Sequence, residues 1–423
     1  MFKTLKNAWG IPELRQKLIF TALILLVYRI GNVIPVPFVD LKTLSTYFDQ
    51  VLSNTILGLY DAMSGSAFSM ATILALGIQP YINSSIIIQL LTIALPFMER
   101  WAKEEGEEGK KKINMCTRIG TVALGLLMGW AYYMMLSNSG YKIITEDGFL
   151  PALVIILTFT AGSSVVMWLG EQITEHGIGN GISMILFANI ISRIPTGVGA
   201  MLKMAWWQVI IAVVGVVAIV LLIVLVNDAE RRIPVQYAKR VVGRKIYGGQ
   251  SSNLPIKVAM TGVMPVIFAS SICSLPATIA TFMGKATEKN WWYVNVWASD
   301  TWIYAVMYGL MIFFFSWFYA SIQYDPVEIA NNLKKNGGFV PGFRPGRPTA
   351  DFIKKVINKI VVFGAVYLGI VALLPIVAGN IWSGFAGLAI GGTSVIIVVS
   401  VALETVKALE AQMLMRHYKG FLD

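Results

Sequence analysis

The chain has 423 residues, of which 56% are hydrophobic and 13% charged, with a formal net charge of +11 and a mean hydropathy of +0.67. Soluble domains carry about 25% charged residues, so this composition excludes a soluble globular protein and predicts many membrane spans. A β-barrel is excluded too, because its strands alternate over about 10 residues whereas these apolar runs continue for twenty.

The first run, Leu18 to Ile34, is interrupted by Arg29. No small-residue cleavage site follows it, which predicts an anchor that is retained rather than a signal peptide that is removed. The second, Ala62 to Met98, holds no charge over 37 positions, yet Leu76-Gly77-Ile78-Gln79-Pro80 breaks it in the middle. One helix crosses a bilayer in about 20 residues, and irregular backbone at that depth survives only against protein or a water-filled path. Gly65, Gly77, Gln79, Pro80, Asn83 and Gln89 in one apolar run therefore predict half-helices beside a conduit.

Further charge-free runs are Ile119 to Tyr141, Gly148 to Gly170, Gly177 to Ser192, Met204 to Asn227, Val258 to Gly284, Thr301 to Tyr324 and Ile360 to Leu403. The last is long enough for two spans, with Pro375, Gly379, Asn380, Gly384 and Gly387 marking the turn between them. The sum is ten spans. Residues 1–199 hold five and residues 200–423 the other five, so the halves run oppositely through the membrane as an inverted repeat with a path at their interface. The expected fold is an all-α polytopic membrane protein with ten transmembrane helices in two inverted five-helix halves around a central pore.

Positive charge orients the chain. With the N-terminus inside, 27 of the 34 Lys and Arg residues fall on the inner side, which predicts that both termini are cytoplasmic. Seven lie in the loop from about 228 to 254 and its flank: Arg231, Arg232, Lys239, Arg240, Arg244, Lys245 and Lys257. Val235, Tyr237, Val241 and Val242 interleave with them and predict a basic hairpin. The loop at 325–359 surrounds Arg344 and Arg347 with Gly337, Gly338, Pro341, Gly342, Pro345, Gly346 and Pro348, and reads as a shaped turn presenting cations. Positive-inside topology with attraction to anionic lipid accounts for both loops; a docking surface for an acidic or nucleic-acid partner is the second reading.

No catalytic chemistry is visible. Cys116 and Cys273 read as buried thiols, and His176 and His417 stand far apart with no thiol or acid at metal spacing. Gly177-Ile178-Gly179-Asn180-Gly181 lacks the preceding strand and the Lys-Ser/Thr pair of a phosphate loop. The expectation is a protein without enzymatic activity, cofactor or metal.

Five motifs carry a family resemblance. They are Ala75-Leu76-Gly77-Ile78 with Pro80-Tyr81-Ile82, the run Gly170-Glu171-Gln172-Ile173-Thr174-Glu175-His176-Gly177-Ile178-Gly179-Asn180-Gly181, Asn332-Leu333-Lys334-Lys335, Gly337-Gly338-Phe339-Val340-Pro341-Gly342-Phe343-Arg344-Pro345-Gly346, and Gly391-Gly392-Thr393-Ser394. In this order they resemble SecY, the channel subunit of the bacterial protein translocase, over essentially the whole chain. The resemblance implies a protein-conducting channel in the bacterial cytoplasmic membrane. Its implied partners are SecE and SecG, the SecA ATPase, a translating ribosome, signal sequences, nascent polypeptides and membrane lipid; specific DNA binding is not implied.

It also implies site residues. The pore ring falls on Ile78, Ile82, Ile182, Leu186, Ile267 and Ile397, of which 78/82 and 182/186 are i,i+4 pairs on single helix faces. From the residues alone, each of these reads as ordinary packing or lipid contact. The plug falls on about 57–71, where Gly58, Ser64, Gly65, Ser66 and Ser69 suit a short helix that leaves the pore. The lateral gate falls on Asn83, Ile86 and Gln89 against Thr261 and Leu275. Arg344 and Arg347, with Arg240 and Arg244, fall on the partner-facing loops. The family usually has Asn near the start of span seven, where this chain has Ala259, so a polar contribution to gate closure passes to Thr261 or Asn83. A secondary transporter for a small solute also uses inverted repeats and broken helices, but it needs an intramembrane acid, Lys or His for coupling. A scaffold without a pore would not require broken spans around a common centre.

Overall fold

The computed structural model describes residues 2–48, 58, 60–61, 64–146, 148–201, 205–237, 240–242, 245–247, 251–282, 301–381 and 392–419. Leu57 and Arg244 lie outside them.

Two short helices and one long one open the chain: α1 (Phe2–Trp9), α2 (Pro12–Gly31) and α3 (Leu41–Tyr47). Pro12 starts α2 where its missing N–H costs nothing. Asp40 caps α3, and the bonds from the Thr43 hydroxyl and the Lys42 N–H hold its carboxyl below the usual range. The charge-free second run becomes turns from Gly65 to Ile78, then α4 (Gln79–Ala94), then α5 (Pro96–Lys103). The axis bends by 101° between α4 and α5, at Pro96, whose ring cannot continue a helix begun before it. The predicted break therefore falls ahead of Gln79, and a second break follows at the end of the span.

Long helices fill the rest: α6 (Gly106–Ser137), α7 (Phe149–His176), α8 (Gly181–Ser192), α9 (Ile194–Met201), α10 (Trp206–Asp228), α11 (Met264–Phe282), α12 (Trp302–Gln323), α13 (Pro326–Lys335), α14 (Arg347–Ile381) and α15 (Gly392–Lys419). Among the described residues six helical segments are long and apolar enough to cross a membrane, or seven if the bent α4–α5 pair is one span. The molecule is a helical membrane protein. Its exposed surface agrees, since α10 exposes Ile210, Val214, Leu221 and Leu225, which only lipid or a membrane partner can cover at low cost.

Four strands form the predicted hairpin: β1 (Glu230–Tyr237), β2 (Arg240–Val242), β3 (Lys245–Tyr247) and β4 (Ser251–Lys257). β1 pairs antiparallel with β4, and β2 with β3. A fifth strand, β5 (Gly338–Phe339), pairs with the other edge of β1, giving the sheet order β4-β1-β5. The two long basic loops are thus one structure. Ile233, Ile256, Val340, Ala350 and Ile353 pack beneath it, seating the sheet on α13 and the start of α14.

Candidate functional site

The long Gly-rich motif is a helix-to-helix turn. The Thr174 hydroxyl donates to the Gly170 carbonyl at 3.0 Å and accepts from the Gly181 N–H at 2.9 Å. A Cβ on Gly181 would collide with the Gly170 carbonyl, so only glycine lets α7 and α8 approach this closely. Asn180 then caps α8, its side chain accepting from the N–H groups of Ile182 and Ser183. At the same end Glu171 holds Arg118 at 2.9 Å, which ties α7 to α6.

Asn180 and Ser183 open onto a cavity of about 180 Å³. Thr261, Gln323 and Glu404 line its polar part, and Leu186, Ile267 and Ile397 its apolar part. The six residues proposed for the ring come from four separate segments and meet in one buried cluster. Ile78, Ile82, Leu186, Ile267 and Ile397 are each at most 6% exposed, and Ile182 packs against them. Aliphatic side chains of this kind offer water no hydrogen-bonding partner.

α8 runs from the cavity, past Leu186, to Arg193 at its C-cap. Twelve residues at about 1.5 Å each span about 18 Å, so Arg193 stands at the opposite end of α8 from Asn180. There Asp61 and residues 64–71 meet three helices. Asp61, only 2% exposed, lies 3.3 Å from the Arg193 guanidinium and accepts from the Ser69 N–H at 2.8 Å. The Asn32 amide donates to the Ser64 carbonyl, and the Asn189 amide donates to the Tyr28 hydroxyl at 2.8 Å. A Cβ on Gly65 would come within 2.9 Å of Arg29 and 3.0 Å of Asn189. Phe68 stacks edge-on against Tyr132, with ring centres 4.7 Å apart, and Tyr132 donates to the Phe68 carbonyl at 2.6 Å. Gly58, Ser66 and Ser69 are part-buried here, and Gly65 is buried.

For the gate, α4 packs against α11, bringing the two helices that carry Asn83 and Leu275 side by side. Ile86 is buried, Asn83 and Gln89 are part-buried, Thr261 is 7% exposed and Leu275 is 44% exposed. Thr261 also lines the cavity. Cys273 is buried, whereas Cys116 is only part-buried. The expectation of two buried thiols fails for Cys116 because α6 buries the stripe Gly109, Thr117, Thr121 and Gly125, and Cys116 lies beside it.

Arg344 and Arg347 are exposed, and among the described residues neither takes part in an ion pair. Their turn is held from both sides. Phe343 stacks on Phe352 with ring centres 4.3 Å apart, and the Thr349 hydroxyl donates to the Arg344 carbonyl at 2.8 Å. Arg240 heads β2 in the neighbouring hairpin.

Sequence reasoning missed Asp61, Arg193, Tyr28 and Asn189 as members of one cluster. The signal available was weak: Asp61 immediately precedes the long uncharged run, Arg193 immediately follows another, and Arg29 interrupts a third. Sequence alone gives no reason to join them.

The helices enclose a cavity that is polar on one side and apolar on the other, beside a large buried aliphatic core. The chain belongs to the SecY family, whose model matches residues 72–406. Protein translocase subunit SecY of Streptomyces galbus is 42% identical, with all of each chain covered. That of Thermotoga maritima is 40% identical, covering all of this chain and 98% of the relative. Among solved structures, a protein-conducting channel superposes with a TM-score of 0.66 at 19% identity, covering 94% of this chain and 92% of that one. Sec61 from the canine ribosome-channel complex of the endoplasmic reticulum superposes with a TM-score of 0.63 at 18% identity, covering 94% and 92%. The protein is therefore a protein-conducting channel subunit, a multi-pass protein of the bacterial cytoplasmic membrane. These relatives leave the small-solute transporter reading without support.

Proposed function

We propose that the chain passes unfolded secretory polypeptides through the Ile and Leu constriction and releases apolar segments sideways into lipid between α4 and α11. The observation that carries this reading is that Ile78, Ile82, Leu186, Ile267 and Ile397 belong to one buried core, and that Leu186, Ile267 and Ile397 also line a cavity with polar walls. An apolar ring makes no directional bonds, so it seals against ions yet deforms around any sequence. Segments of about 20 apolar residues then partition into lipid by transfer free energy.

In this reading ten spans form two inverted halves, 1–199 and 200–423, with segment 57–71 as the plug and both termini cytoplasmic. The charge count supports that orientation. SecE and SecG are the membrane partners, and SecA or a translating ribosome docks on the joined basic loops through Arg344, Arg347, Arg240 and Arg244. The neighbouring Sec61 channel was solved in a ribosome complex, which supports docking of this kind. The reading is tested by uptake of a labelled preprotein into proteoliposomes containing the complex, SecA and ATP. Uptake is expected only with all components present, and uptake that is absent under those conditions sinks it.

A further inference from the structure

We propose that the Asp61–Arg193 ion pair is the latch that keeps segment 57–71 seated beneath the constriction, which makes both residues positioning residues for the channel's seal. The proposal rests on the reading of that segment as the plug.

Two of the contacts that hold the segment differ in character. Near its end, Phe68 packs edge-on against Phe48 and Tyr132, and Tyr132 continues through Phe159 into the protein core. Nearer its start, Asp61 reaches across to Arg193 at the end of α8, and its second oxygen turns back to the Ser69 N–H. The first contact suits a hinge, because an apolar socket tolerates rotation of a ring edge. The second suits a latch. It joins two parts of the chain 132 positions apart, and it is either made or broken.

Burial sharpens that choice. The side chain of Asp61 is 3% exposed and that of Arg193 is 24% exposed. A carboxylate so enclosed loses much of its stabilisation when its cationic partner leaves, whereas a displaced plug returns both charges to water. The closed and displaced states thus differ by the whole pair, and an element of this kind sets the population of the two states. Arg193 also sits at the C-terminal end of α8, where the helix carbonyls favour a cation. Gly65 completes the fit, since a side chain there would strike Arg29 and Asn189 and lift the segment off the cluster.

The test uses the complete channel complex in proteoliposomes without substrate. Asp61→Asn keeps an acceptor for the Ser69 N–H and removes the charge, Arg193→Gln removes the other charge, and Arg193→Lys keeps it. Ala67→Cys, in a chain with Cys116→Ser and Cys273→Ser, reports the plug's position, because Ala67 is fully buried. The readouts are ion flux and the rate of reaction with a membrane-impermeant maleimide. Asp61→Asn and Arg193→Gln are each expected to raise both by about tenfold, and the double variant no further than either single one. Arg193→Lys is expected to stay within about twofold of the parent. Unchanged rates in both single variants overturn the latch, as does a double variant whose effect is the product of the singles. If Asp61→Asn does not insert, Arg193→Gln reads the same pair from its more exposed side. Deleting 57–71 separates the two readings: a leaky deletion beside a tight Asp61→Asn removes the latch alone, and a tight deletion removes the plug with it.

Discussion

Tyr237 stands opposite Gly338 across the β1–β5 ladder, and a Cβ on Gly338 would lie 3.0 Å from the Tyr237 ring. This pairing binds the loop that leads into α11 to the loop that carries Arg344. A load placed on one loop is therefore borne by both, and β4 ends only six residues before α11 begins. Gly338→Val is expected to force β5 off β1 at a local cost of roughly 1–3 kcal/mol, lowering SecA-driven preprotein uptake by about tenfold while insertion is unchanged. Wild-type uptake would mean that the paired loops work independently.

Arg344→Glu should lower SecA-driven export by at least about tenfold, since reversing a charge-assisted contact costs about 2 kcal/mol or more. The protein should still insert, because the turn is anchored by Phe343 on Phe352 and by Thr349 rather than by the guanidinium. Arg344→Lys, which keeps charge but loses the planar fork, should fall between the two. Normal export by the Glu variant would return this loop to lipid contact.

The seal has its own signature. Changing both Ile82 and Ile267 to Asn gives water partners inside a wall that otherwise has none, so substrate-free ion flux through the purified complex should rise by about tenfold. Val217→Ala, on the exposed face of α10, should leave flux unchanged. A double Asn variant as tight as its parent would reduce these isoleucines to ordinary helix packing.

In the proposed lateral gate, opening parts α4 from α11. Asn83→Cys with Leu275→Cys, in a chain lacking Cys116 and Cys273, should allow a cross-link between the two helices, and the linked form should lose preprotein passage while the reduced form keeps it. Full activity of the linked form would remove lateral opening between these helices.

Orientation can be read with reporters. Fusions after Glu105, Lys245 and Gly346 should register as cytoplasmic and fusions after Lys142 and Lys289 as external, following the 27-to-7 division of basic residues. An external signal at Lys245 would overturn the ten-span count.

The class of protein is legible in the chain alone, because hydropathy is local: twenty apolar residues in a row are costly in water wherever the rest of the chain lies. The sequence also located the break before Gln79, the basic hairpin and the Arg344 turn, since Gly, Pro and alternating residues act over a few positions. It suggested candidates for the constriction by resemblance, and their i,i+4 spacing agreed. Only the tertiary structure decided that Ile78, Leu186, Ile267 and Ile397 share one buried cluster, that β5 adds to β1, and that Asp61 meets Arg193 across 132 positions. Contacts of that kind depend on how helices and strands pack. A single Asp before an apolar run looks the same in sequence whether it ends in water or against a buried arginine, and only the fold removes the water that makes the difference.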